Sequence, residues 1–562
     1  MREASPISAE LLEERPAIYT ARRVITQAGA DPEGFAVWRG RVLATGPREA
    51  LRDRYPGAEV VDFGEATVVP GFHDAHIHLA MTAGDLLHLD LSAAAAPSLA
   101  ELTRKVAEEA VRTQPGDWVR GSRYDDAKMP EGRVLTRWDL DAVAPDVPVI
   151  VVQVAGHWGV VNSRALELAG LDDAAEPPAG GDYGRDGSGR LNGVLYEQAL
   201  FDFAYPSVSK RGRTVVPADT EEDRLTGLRR AVERWHAAGL TSICDALVGP
   251  ADVRLFRTAK ERGLLTLRTG MLLSAEHYDL VHRLGLGPGF GDEWLRFVGV
   301  KAFIDGAIGG RTCLLDEPAA GVHGIQTTTT EELGEIVQAV HGDGNRVCVH
   351  ANGDRAIRIV LDQLEKAAAA QRPGAAPIAP ITSAVPPGPP GPRHRIEHCS
   401  LIDDDILRRM KALGAIAVPF GGYVHYHGGR LLEWYGPERM SRMFAHRSFL
   451  DAGVAVAGSS DYPCGPYEPL LGMQSMVTRR GFDGVEVAVE QRITAGEALS
   501  LYTTGAATAT GEADIKGRLA PGYLADFVVL AEDPLTCEPE RIAGIGVRAT
   551  YVGGVPVWTA EV

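Results

Sequence analysis

Eight short apolar runs, the later ones mostly separated by helical patterns, constrain this chain more than any other feature. They are Thr67–Val69 leading into His76–His78, Thr241–Ala246, Leu267–Leu273, Val298–Ile304, Arg346–Ala351, Arg395–Ser400, Ala415–Phe420 and Val454–Asp461. Helical patterns such as Glu331–His341 and Arg355–Ala370 lie between the later runs. Eight β runs alternating with helices predict an α/β fold, a TIM-like (β/α)8 barrel. The first gap, about 160 residues, is too long for one helix. It carries its own strand-like run (Val147–Val154) and a Gly/Asp-rich loop (Gly180–Gly189), which predicts an inserted subdomain over about residues 85–235.

The two ends of the chain share a different character. Residues 17–70 read as short β segments, with a hairpin turning at Arg39-Gly40. Asp526–Leu530 and Val547–Trp558 repeat that pattern. Residues 1–70 and 510–562 are therefore expected to meet as one composite β domain, a small β-sandwich, around a barrel over 71–509.

Composition narrows the function classes. The 562 residues are 45% hydrophobic and 23% charged, enough for a large core. A net charge of −18 repels phosphate backbones, so no nucleic-acid partner is expected. No apolar run approaches the ~18 residues of a membrane span, and the polar start Met-Arg-Glu-Ala-Ser-Pro has no apolar core of a signal peptide. Six scattered cysteines without a C-x-x-C pair fit a reducing cytoplasm. The Pro-rich stretch 371–393 reads as an exposed, poorly ordered loop, with a polyproline ligand as the alternative. The expected partners are a small-molecule substrate and, at most, further copies of the same chain.

Chemistry in such barrels collects at the C-terminal ends of the strands. Alternation puts His76 and His78 on one face at the end of the first run. Run four carries Lys301, run five ends in His350, run six in His398 and run eight in Asp461. Imidazole and carboxylate donors suit zinc first, and also Fe, Mn, Ni or Co. Any one of these histidines alone is more simply a hydrogen-bonded core residue. Lys301, costly as a bare ammonium in an apolar strand, could pair with Asp305 or Glu197.

Taken together, Pro-Gly-Phe-x-Asp-x-His-x-His (70–78), Val-Lys-x-Phe-x-Asp-Gly-x-x-Gly-x-Arg-Thr (300–312), His-Ala-x-Gly-Asp-Arg-Ala (350–356), Arg-Ile-Glu-His (395–398) and Gly-Ser-x-Asp (458–461) resemble the amidohydrolase superfamily, and within it the amidohydrolase-3 group. The resemblance spans roughly residues 20–560. It implies one or two divalent metal ions. His76 and His78 would bind the more buried ion with Asp461, His350 and His398 the second, and a carboxylated Lys301 would bridge them. It also implies Asp461 as the catalytic acid–base that manages the proton of a metal-activated water. The activity so implied is hydrolysis of an amide or related C–N bond in a small molecule. Esters, lactones and cyclic amides are the alternatives, and a metal-free barrel retained as a scaffold is the reading from another class.

Further residues are candidates for substrate contact. His157 and Glu197 match segments of the same group. Arg311 could anchor a carboxylate or make a structural ion pair. His425 and His427 sit among glycines after run seven and read as a mobile loop. His73 has the opposite strand parity to His76 and should face away, whereas Asp74 shares the ligands' face at a deeper level. Asp305–Thr312 is Gly-rich but lacks the Gly-Lys-Ser/Thr ending of a phosphate loop.

Overall fold

The computed structural model of the protein describes residues 15–319, 321–370 and 392–561. At its centre is an eight-stranded parallel sheet whose strands neighbour one another in chain order: β1 (Phe72–Ile77), β2 (Leu240–Val248), β3 (Arg268–Ser274), β4 (Leu295–Phe303), β5 (Val347–Ala351), β6 (Arg395–His398), β7 (Ile416–Val418) and β8 (Ala455–Val456). Helices cover the outer faces, so the strands are buried on both sides; every residue of β2 is buried. The sheet curls until its edges meet. Ala75 N–H donates to Gly458 O (3.1 Å), Asp461 N–H to His76 O (2.8 Å) and His78 N–H to Tyr462 O (3.2 Å), tying β1 to the segment after β8. This is the expected TIM-like barrel.

The first run is not one strand. Thr67–Pro70 pairs with Phe527–Leu530 in a separate sheet, and β1 begins only after Gly71. A Cβ at Gly71 would lie 2.2 Å from Thr241 Oγ1, so the chain passes from one sheet to the other where only glycine fits. β7 and β8 are also shorter than their runs, because their pairing breaks after Val418 and Val456 and resumes as a single bridge between Phe420 and Ser459.

Both ends of the described chain contribute to a β-sandwich. One sheet holds Arg41–Gly46, Gly34–Trp38, Ala17–Thr20 and Glu59–Asp62; the other holds Arg23–Val24, Thr67–Pro70, Phe527–Leu530, Val547–Val552 and Val555–Thr559. Rings from both sheets interlock, with Tyr19 edge-on to Phe527 (5.0 Å) and Phe527 stacked on Tyr551 (4.4 Å). The hairpin turns at Arg39 and Gly40, both at positive φ, as a two-residue turn requires.

A buried ion pair links sandwich and barrel. Arg268, at the start of β3, donates to both oxygens of Asp526 (2.7 and 3.0 Å). Removing one partner leaves an uncompensated buried charge. Arg268→Ala is therefore expected to lower stability by about 3–5 kcal/mol; a urea midpoint close to that of the parent protein would show that water replaces the lost partner.

Between β1 and β2 lies a six-stranded sheet in the order Gly181–Arg185, Leu191–Glu197, Trp158–Val161, Val149–Gln153, Val119–Tyr124, Leu89–Asp90. It packs its own core, including Leu102, Val106, Tyr124, Val151 and Trp158. The Pro-rich stretch expected to be an exposed loop lies outside the described residues except for Pro392 and Arg393. Among the described residues no helix is long and apolar enough to cross a membrane.

Candidate metal centre

The site begins with the alternation of β1. Asp74 and His76 point to the barrel interior, and Asp74 accepts from the backbone N–H groups of His76 (3.0 Å) and Ser460 (3.1 Å). That carboxylate pins β1 to the chain leaving β8. Asp461 follows in a left-handed conformation, φ 53°, which turns its side chain towards the two histidines. His76 Nε2 and His78 Nε2 lie 3.2 and 3.0 Å from Asp461 Oδ1. One donor atom from each of these three buried residues falls within 4.8 Å of the others.

His76 is oriented from behind. Its Nδ1 pairs with Glu397 Oε2. Arg395 in turn grips Glu397 through Nε and Nη2, both at 2.7 Å, and also donates to Ala75 O (2.8 Å). All three side chains are buried. Burial works to raise the Glu397 carboxyl, but Arg395 and His76 hold it well below the usual range. An ionised Glu397 fixes the proton of His76 on Nδ1 and leaves Nε2 free to ligate. Arg395 and Glu397 carry no role in the sequence beyond their place in the Arg-Ile-Glu-His motif. The available signal was two charged residues at i and i+2 on the buried face of a barrel strand.

Asp461 is likewise held ionised. Burial opposes this, but His398, His76 and His78 bring its carboxyl well below the usual value.

The second group gathers alongside. The His398 ring lies 4.7 Å from that of His76 and 4.5 Å from that of His350, and it stacks on Phe420. At φ 65° the backbone of His398 leaves the strand conformation, which swings the ring into the cavity. His398 Nδ1 is buried without a hydrogen-bond partner. His350 Nε2 contacts Gly306 O (3.2 Å) and Asn352 Nδ2 (3.0 Å), leaving Nδ1 as its open ring atom. Lys301 Nζ lies 3.4 Å from His76 Nε2 and over the Phe303 ring. Neither carboxylate suggested for it is its partner. Asp305 accepts from the backbone of Leu314, Asn352 and Gly353, and Glu197 is engaged elsewhere. Burial lowers the Lys301 ammonium from its ordinary value despite the charges of Glu397 and Asp461.

These six residues line one cavity of about 30 Å³, together with His157 and apolar side chains. Glu197 stands behind His157, fully buried, its Oε2 taking His157 Nδ1 (2.6 Å) and its Oε1 taking Thr312 Oγ1 (2.5 Å). Burial opposes the charged form of His157, but Glu197 outweighs it and raises the imidazole above its ordinary value. Glu197 has φ 49° and ψ −121°, a strained conformation that keeps its carboxylate under the ring.

The remaining candidates stand apart from this cavity. Arg311 donates to Asp126 (2.8 Å) and covers Trp434, so its guanidinium is already engaged. His425 and His427 are not on a loop; they belong to the helix Tyr423–Met440. His427 packs one turn from Tyr423 (4.4 Å) and is buried, with Nε2 3.4 Å from Cys464 O. The adjacent glycines permit close packing, since a Cβ at Gly429 would lie 2.2 Å from Asp483. His73 is buried away from the cluster, as its strand parity predicts.

The amidohydrolase family model matches residues 59–558. N-substituted formamide deformylase of Arthrobacter pascens is 29% identical over 546 residues, covering 95% of this chain and 96% of that protein. The YtcJ protein of Bacillus subtilis is 29% identical over 556 residues, covering 96% and 98%. A solved structure of an uncharacterized metal-dependent hydrolase from Pyrococcus horikoshii superposes with a TM-score of 0.72 at 26% identity, covering 93% of this chain and 99% of that one.

Proposed function

From the premise that this chain belongs to the amidohydrolase family, we propose that it hydrolyses an amide or related C–N bond of a small molecule with the help of a divalent metal. The observation that carries this reading is the convergence of His76, His78 and Asp461 on one point, with the far side of His76 locked by Glu397.

The residues fit a metal. The donor set is nitrogen and carboxylate oxygen, which suits zinc. His76 turns Nε2 towards Asp461 and Lys301 and is backed at Nδ1 by a carboxylate, an arrangement typical of ligating histidines. His398 keeps a buried nitrogen without a partner, a cost that a ligand would remove. We assign His76, His78 and Asp461 to one ion and His350 and His398 to a second. Lys301 is assigned to carry a carbamate between them, since a desolvated amine with no carboxylate partner is the form that adds CO2 with loss of a proton. Incubation with 13C-bicarbonate is expected to give a carbamate carbon resonance that Lys301→Ala lacks; its presence in that variant would move the assignment to another residue.

A divalent cation held by these residues would lower the pKa of a water to about 7 and polarise a carbonyl oxygen. The chain's own groups do the rest. Glu397 holds His76 in one tautomer. Asp461, kept ionised, accepts the proton of the attacking water and passes it to the departing nitrogen, so that the C–N bond breaks with a neutral amine leaving. Glu197 fixes the His157 proton on Nδ1 and supports a charged ring whose Nε2–H can donate to the substrate oxygen. Loss of such a charge-supported hydrogen bond is worth roughly 1.5–3 kcal/mol, so Glu197→Gln is expected to reduce kcat/KM by about 10- to 100-fold with metal content unchanged. A variant with parental kinetics would leave Glu197 a purely structural acid.

The direct test combines metal analysis with a panel of N-formyl and N-acyl amines. Dialysis against a chelator is expected to abolish hydrolysis and zinc to restore it. A folded protein that takes up no metal and turns over nothing would point instead to a scaffold.

A further inference from the structure

We infer that a second chamber beside the metal cavity receives the non-reacting body of the substrate, an extended apolar substituent of alkyl type. This rests on the hydrolase reading above and adds its substrate class.

The metal cavity, at about 30 Å³, admits only the space of two or three waters at roughly 10–15 Å³ each. With a metal ion held there, the remaining space takes no more than the reacting carbonyl and its nitrogen. Any larger substrate must extend elsewhere. The chamber next to it measures about 430 Å³, within the ~300–1,000 Å³ range of small-molecule sites. The two share Met81, Tyr205 and Leu247 as a common wall, so these three side chains are what stands between the metal cavity and the chamber.

Its position is set by the fold. β2 and β3 add no donor to the metal cluster, but their C-terminal ends, at Leu247, Gly249 and His277, open onto the chamber. The inserted sheet roofs it. Along Val149–Gln153, Ile150 and Val152 face the chamber, while Val149 and Val151 face the insertion's own core. Val216 and Pro217 complete an apolar lining.

The charges in the wall do not call for a charged ligand. Asp219 takes both His88 (3.1 Å) and Arg120, and Asp252 takes Arg224 (2.5 Å). Asp85 hydrogen-bonds Ser122 and faces the charges of His88 and Arg123, so it too is answered from within the wall. Arg254 stands at the exposed rim. A neutral chain gains about 0.8 kcal/mol per buried CH2, roughly fourfold in affinity.

Zinc-loaded full-length protein would be assayed with N-hexylformamide, N-methylheptanamide and N-methylformamide, which place a long chain on the nitrogen side, on the acyl side, or on neither. At least one long substrate is expected to exceed N-methylformamide in kcat/KM by more than about tenfold, and the better arm identifies the side that enters the chamber. Val152→Phe narrows the chamber from its roof without touching the metal cavity. It is expected to remove that preference at least tenfold while changing N-methylformamide less than twofold. Ala218→Phe, at the exposed rim, checks the result where a folding defect is not at issue. Equal loss for long and short substrates, or no change in either variant, would overturn the chamber's role. If the parent protein hydrolyses none of the three, the hydrolase reading fails separately. The chamber is then read by calorimetry with N-hexylformamide and N-methylheptanamide themselves, both neutral and in that case unreacted. Binding that Val152→Phe abolishes sustains it, and absence of binding overturns it.

Discussion

Replacing His76 with alanine is expected to abolish turnover, lowering kcat/KM by at least about 1,000-fold while the protein stays folded. The imidazole occupies the centre of the site: Nε2 lies within 3.2 Å of Asp461 Oδ1 and 3.4 Å of Lys301 Nζ, and Nδ1 meets Glu397. Its removal takes away a donor and also leaves the buried Glu397–Arg395 pair without its third member. The barrel does not depend on that ring, since the seam beside it is made by backbone groups at residues 75, 76 and 78. Bound metal, measured by elemental analysis, should fall with activity while circular dichroism remains that of the parent. Glu397→Gln provides the comparison. It keeps His76 but weakens its orientation, and is expected to cost about 10- to 100-fold. Near-parental turnover in His76→Ala would remove this residue from the site.

Asp461→Asn is expected to reduce kcat by about 1,000-fold. The amide keeps the shape of the side chain and one oxygen, so contact with His76 and His78 survives in part. It cannot take a proton from water or return one to a leaving nitrogen. The loss should therefore fall mainly on kcat, with KM changing less and the metal still largely bound at saturating zinc. An unchanged kcat would assign proton transfer elsewhere. A collapse of metal content at saturating zinc would make Asp461 a ligand first and a base second.

Much of this site is legible in the residues themselves. Strand periodicity brings His76 inward, and barrel geometry brings the ends of β1, β4, β5, β6 and β8 together, so a list of polar residues at strand ends is already close to a list of cavity residues. What escapes the sequence depends on backbone conformation and on contacts between distant elements. His398 faces the cavity because φ at that position is positive, which period-two reading does not foresee. Glu397 acts through a histidine 321 residues away. The second histidine pair, His425 and His427, looks like a loop because glycines surround it, yet those glycines permit helix packing against Asp483. The chamber under the inserted sheet has no sequence signature, since its walls are ordinary apolar residues brought together by two separate sheets.

The seam between β1 and the segment after β8 has a consequence for biosynthesis. Asp461 donates its own backbone N–H to His76 O, so the bond that shuts the cylinder also sets two of the proposed ligands beside each other. A nascent chain threading out of the ribosome carries His76 and His78 early but must wait for nearly four hundred further residues before Asp461 arrives. Through that interval Thr67–Pro70 also lacks its later neighbour Phe527–Leu530. Truncated translation products should therefore be sticky, protease-sensitive and unable to hold a divalent metal at these residues.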